Sequence, residues 1–176
     1  KATIKLTTLN TLIGTVKTTM FSVNTALATY KTAVDAREVA FEPLSKLTTR
    51  ILNALVAADT TEQVTESVKS VARKIQGRRV TPKHTETEKQ KLSEAGTEVH
   101  EVSSSQMSYD NRLENFDKLI KLGAAIPQYI PNEADLKLTA LNTLYADLKA
   151  KNLAVISAHT NLTNARITRN NLLYKP

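Results

Sequence analysis

A stretch of forty residues occurs twice in this chain, and that repetition limits the fold more than any other feature. Residues 2–41 align with 134–173 at thirteen identical positions, among them the core of KLTTLNTL against KLTALNTL. Composition alone would give roughly four identities, so the match reads as an internal duplication. Both copies close on an aromatic-x-Pro step, Phe41-Glu42-Pro43 and Tyr174-Lys175-Pro176.

In the first copy Leu9, Ile13, Val16, Met20, Val23, Leu27, Tyr30 and Val34 recur in alternating steps of four and three. That is the coiled-coil-like seam of a helix packed at a shallow angle. The phase runs on through Phe41, Leu44, Ile51 and Leu55, straight across Pro43, so residues 3–58 read as one helix kinked near Pro43. An interior proline costs about 3 kcal/mol, and the competing reading is a break with Pro43 opening a second helix.

Asp59-Thr60-Thr61 offers cap oxygens to a helix of about 16 residues striped by Val64, Val68, Val71 and Ile75, with Gly77 at its C′ position. Residues 78–104 are polar and aperiodic, a mobile connection with a helical turn near Glu86–Glu94. Ser104 or Ser105 is placed to cap a helix over 106–123, with Tyr109, Leu113, Phe116 and Ile120 in its seam. The prolines of IPQYIP hold that stretch extended, and Asn132 is placed to cap a last long helix over 133–173. The expected architecture is a single all-α domain over 1–176, an elongated antiparallel bundle of two long duplicated helices and two short ones. Threonine is unusually abundant for such a fold, at 24 residues.

The wording of IPQYIPNEADLK and AVISAHTNLTNARITRNNLLY resembles a group of uncharacterised all-helical proteins of Bacteroidota. The resemblance implies a helical fold over most of the chain and no activity, and members of that group continue beyond the Tyr-x-Pro step.

Chemistry is constrained mainly by what is missing. With no cysteine there is neither a disulfide nor a thiolate metal site. His84, His100 and His159 are too far apart for a zinc motif, and no cofactor is expected. Asp110, Glu114 and Asp117 share a helix face, but a di-metal bundle site needs a Glu-x-x-His partner that the chain lacks, so a solvated, ion-paired face is expected. No nucleophile elbow, Walker loop or dinucleotide fingerprint occurs among four glycines, so the chain reads as non-enzymatic. No run of about 18 apolar residues spans a membrane, which reads as a soluble chain, and the start at Lys1 rather than Met reads as processing or truncation.

Two features remain as candidate sites. Lys69, Arg73, Lys74, Arg78, Arg79 and Lys83 form an acid-free cationic run that accounts for six of the net +7, a candidate surface for nucleic acid or another anion. Against it, the run holds no aromatic for base stacking, and two of its cations suit a helix C-terminus anyway. In the second copy Asn152, His159 and Arg166 replace Met20, Leu27 and Val34, seven apart along one line. Either these form a polar seam or the helix has rotated to bury Leu141, Leu144, Leu148, Val155, Ala158, Leu162 and Ala165. The leading functional expectation is a structural or assembly protein, homo-oligomeric through its long helices. An anion-binding accessory role comes second, and action on membranes third.

Overall fold

A computed structural model describes residues 5–58, 60–78, 85–95 and 107–174. Among these, every regular element is helical: α1 (Leu6–Phe41), α2 (Leu44–Val56), α3 (Glu62–Ile75), α4 (Glu86–Glu94), α5 (Tyr109–Ala124), a 3₁₀ turn (Ala134–Leu136) and α6 (Leu138–Tyr174). The protein is an all-α helical bundle.

Pro43 reconciles the kinked and broken readings of the first long segment. It has no N–H, so the ladder stops with Glu42 N–H on Glu38 O at 3.0 Å and restarts with Leu47 N–H on Pro43 O at 3.0 Å. The backbone nevertheless stays right-handed helical at Glu42 (φ −56°, ψ −50°) and Pro43 (φ −73°, ψ −11°). Two hydrogen-bonded helices therefore follow one another with no loop between them.

The chain sorts into two compact units, 1–42 with 147–176, and 43–146. The second holds a layered core. Its α3 packs against both α2 and α5. Leu44, Ile51 and Leu55 of α2, Val68, Ala72 and Ile75 of α3, and Phe116 and Leu119 of α5 are all essentially buried. Thr48 shares that core because its hydroxyl donates to Leu44 O at 2.7 Å, which satisfies the one polar group it carries. The Gln76 amide donates to Thr49 Oγ1 at 2.8 Å and ties the end of α3 to α2.

Helix ends follow local chemistry where the sequence offers one choice of cap. Thr61 caps α3, and Gly77 closes it at φ +69° with Arg78 N–H on Arg73 O at 2.8 Å and Gly77 N–H on Lys74 O at 3.3 Å, a Schellman pair. The positive φ at Gly77 is what requires glycine; a Cβ there would come within 2.5 Å of Met107 Sδ, on a flexible, exposed side chain that would have to move aside. The short α4 carries a capping box, Thr85 with Glu88.

Two cap expectations need correction. Ser108 caps α5, accepting from Asn111 N–H at 3.2 Å, whereas Ser104 and Ser105 lie outside the described residues. Asn132 caps nothing: Ala134–Leu136 forms a 3₁₀ turn behind Glu133, and the long helix begins only at Leu138. Other bonds hold this turn. The Tyr129 hydroxyl donates to Leu136 O at 2.7 Å, buried from solvent, and that burial raises the phenol's pKa. Arg50 of α2 pairs with Glu133 and, at 2.6 Å, with Asp135.

The Arg50 hydrogen bonds and charge lower the Asp135 pKa from its ordinary 3.8. A lowered carboxylate contributes stability that is full above the unfolded pKa and is lost as pH falls through the folded one. Thermal midpoints of the parent and Arg50→Gln are therefore expected to differ above about pH 4 and to converge below it. The cluster is exposed, so the gap should be small. Parallel curves across that range would show that the pair contributes nothing.

Candidate functional site

The first unit is a pair of long helices, α1 and the 147–174 part of α6. Threonine, a poor helix former, is accommodated by back-bonding: Thr11, Thr15, Thr18, Thr19 and Thr29 each donate to the carbonyl four residues earlier, at 2.8–3.1 Å.

Two contacts fix the pairing. The Tyr30 and His159 rings lie 5.6 Å apart between centroids, tilted by 60°. Seven residues on, Arg37 Nη1 donates to Asn152 Oδ1 at 3.1 Å, seven residues back on the partner. Equal and opposite steps mean antiparallel helices. Carried along at one residue per residue, that register sets Tyr174 opposite Thr15. Residues 6–14 of α1 then run about 13 Å beyond the last helical residue of α6. Their exposure agrees: Leu6 is 72% exposed and Leu9, Leu12 and Ile13 are 43–47%.

Along α6 the buried line is Leu141, Leu148, Asn152, Val155, Ala158 and Leu162, with Leu144 and Ala165 half-buried. Asn152 thus sits in the apolar seam, 4% exposed and bonded to Arg37. His159 and Arg166 do not join it in the interior, since both are exposed. The three polar residues share a line on the helix but not an environment.

The basic run is also divided. Lys69 is paired with Glu66 at 2.7 Å, and that ammonium lowers the Glu66 pKa. Arg73 and Lys74 are half-buried in the last turn of α3, where the helix dipole favours cations. Arg78 is exposed beyond Gly77, while Arg79 and Lys83 lie outside the described residues, as do His84 and His100. Elsewhere the Glu114 and Asp117 carboxylates are paired with Lys118 and Lys121 at 2.6 and 2.5 Å. Among the described residues no group of His, Asp or Glu is placed to hold a metal ion, and no helix is long and apolar enough to cross a membrane.

The positive charge is concentrated in the helix-pair unit. The unit that contains Lys69–Lys83 has fourteen Lys and Arg against thirteen Asp and Glu, a net of only +1. The helix-pair unit has ten against four, a net of +6. Its outer parts are more biased still: residues 1–34 and 148–176 contain no Asp or Glu at all. The signal lay in the sequence, as two long acid-free tracts. Only the antiparallel pairing brings them side by side, with Lys17, Arg166 and Arg169 at neighbouring levels. No family model, curated protein or solved structure matches this chain.

Proposed function

We propose that this is a non-enzymatic helical protein with a structural or assembly role, associating through its long helices. One observation carries the reading: α1 has 36 residues, yet only Val23 and Phe41 are buried. Meanwhile α6 exposes Leu153, Ile156 and Ile167 by 51–54% on one stripe, with Thr160 and Thr163 between them. Exposed aliphatic rows on long helices are what a further helix covers. Descent of both helices from one copied segment belongs to the same reading. In the register above, Ala28 and Thr29 lie opposite Asn161 and Thr160, the positions 132 residues on from Thr29 and Ala28. The copies would then meet about a pseudo-twofold. Kinship with the Bacteroidota helical proteins is part of this proposal and brings no activity with it.

Sedimentation velocity over a range of concentrations tests it. Species heavier than the 19.4 kDa chain should grow with concentration, and Leu153→Gln/Ile156→Gln/Ile167→Gln should return the protein to monomer. A parent chain that stays monomeric throughout rules the assembly reading out.

A second reading, an anion-binding accessory role, is favoured by the net +6 of the helix-pair unit. It relocates the binding surface from residues 69–83 to the acid-free tracts, and salt-dependent retention of the chain on heparin is its test.

A further inference from the structure

We propose that the N-terminal end of α1, residues 6–14, docks on an anionic lipid bilayer, with its aliphatic side chains in the headgroup–acyl boundary and the neighbouring cations on lipid phosphates and carboxylates. This deepens the anion-binding reading and rests on it.

The apolar side chains of this end form one stripe. Leu6, Leu9 and Ile13 are spaced three and four apart, with Leu12 beside them, while Thr7, Thr11 and Gly14 occupy the opposite side and Asn10 borders the stripe. The stripe continues the line of α1 that buries Val23 farther along, but here it has run past Tyr174, and its four aliphatic residues are 43–72% exposed. The second copy shows what the same motif does when it is covered. Leu141, the counterpart of Leu9 in KLTALNTL, is 1% exposed, and Leu138 approaches within 3.6 Å of where a Cβ on Gly123 would stand. The sequence is therefore one that packs, and on α1 its aliphatic side chains stay 43–72% exposed among the described residues.

Charge selects the occupant. Lys5 and Lys17 flank the stripe, Arg169 and Arg166 lie farther along, opposite Met20 and Val23, and no acid lies within residues 1–34 or 148–176. A second copy laid tip to tip would set Lys5 and Lys17 against like charges. A nucleic acid would satisfy the cations and leave the leucines in water. A bilayer bearing anionic headgroups accommodates both, as it does for other amphipathic helices with lysine and arginine beside an apolar face. The charge matters because the stripe is short: four aliphatic residues alone give weak, reversible partition.

The test is flotation of the full chain with vesicles of phosphatidylcholine alone and of phosphatidylcholine with phosphatidylserine, at low and high salt. Binding is expected to the phosphatidylserine vesicles only, and to fall with salt. Lys17→Gln should weaken it about fivefold, the typical worth of one cation at such a surface. Leu9→Gln/Ile13→Gln should weaken it by at least about tenfold through the lost apolar burial. Both variants alter exposed positions and keep a good helix former, and far-UV circular dichroism verifies the helix. The inference is overturned by equal uptake on neutral vesicles, or by a double variant that floats like the parent. It is equally overturned by dimerisation of the parent that the double variant abolishes in the absence of lipid. Retention on heparin without any vesicle binding would remove the lipid and leave the anion-binding reading in place, whereas retention on neither removes both.

Discussion

Phe116→Ala is expected to destabilise the protein by about 3–5 kcal/mol, the largest effect of any single truncation proposed for it. The ring is fully buried in the middle of α5, between Leu113 and Ile120 on the same face and next to Leu119. The α5 helix packs against α3, whose Val68, Ala72 and Ile75 are 0–1% exposed, and these short side chains cannot collapse into the space a phenyl ring leaves. Urea unfolding followed by circular dichroism would read the change as a lower midpoint, and Phe116→Leu should recover most of it. A loss below about 1 kcal/mol for the alanine variant would mean that α5 does not pack as described.

Much of this core is visible in the residue order alone. Leu113, Phe116 and Ile120 keep the helical period, and Gly77 after Ile75 marks a helix end that only a residue tolerant of positive φ can form. These features are legible because each is decided within one or two turns of chain. Where several residues could do the same local job, the order stops being decisive. Ser103, Ser104, Ser105 and Ser108 are equivalent caps on paper, and Ser108 is the one that accepts from the third residue of α5. Asn132 is a better cap than Glu133 by preference, but Arg50, more than eighty residues away, draws Glu133 and Asp135 into a turn that ends in a 3₁₀ element. The candidate surface was obscured for a similar reason. A run such as Lys69–Lys83 shows itself to a reader moving along the chain, whereas two tracts separated by more than a hundred residues become one cationic surface only when α1 and α6 lie side by side.

The rotational setting of α6 is the point at which sequence offered two answers, and Arg37 with Asn152 decides between them. The helix buries the Leu148, Val155 and Leu162 line and keeps Asn152 in it, leaving His159 and Arg166 outside. An amide in an aliphatic seam is costly unless it is bonded, and the guanidinium of Arg37 provides a charge-assisted donor at 3.1 Å. Arg37→Ala is therefore expected to destabilise by about 1.5–3 kcal/mol, the range for a hydrogen bond that involves a charged group. The pair also fixes register, because sliding α6 by a single turn would put Leu148 or Ile156 where the amide is now. Asn152→Leu alone should cost less than Arg37→Ala, since an aliphatic residue suits the seam, and Arg37→Leu with Asn152→Leu should approach the parent's stability. A double-mutant cycle read by thermal midpoints would return a coupling of about 1 kcal/mol or more. If the two effects simply add, the bond is incidental, and the apolar seam alone sets how these helices meet.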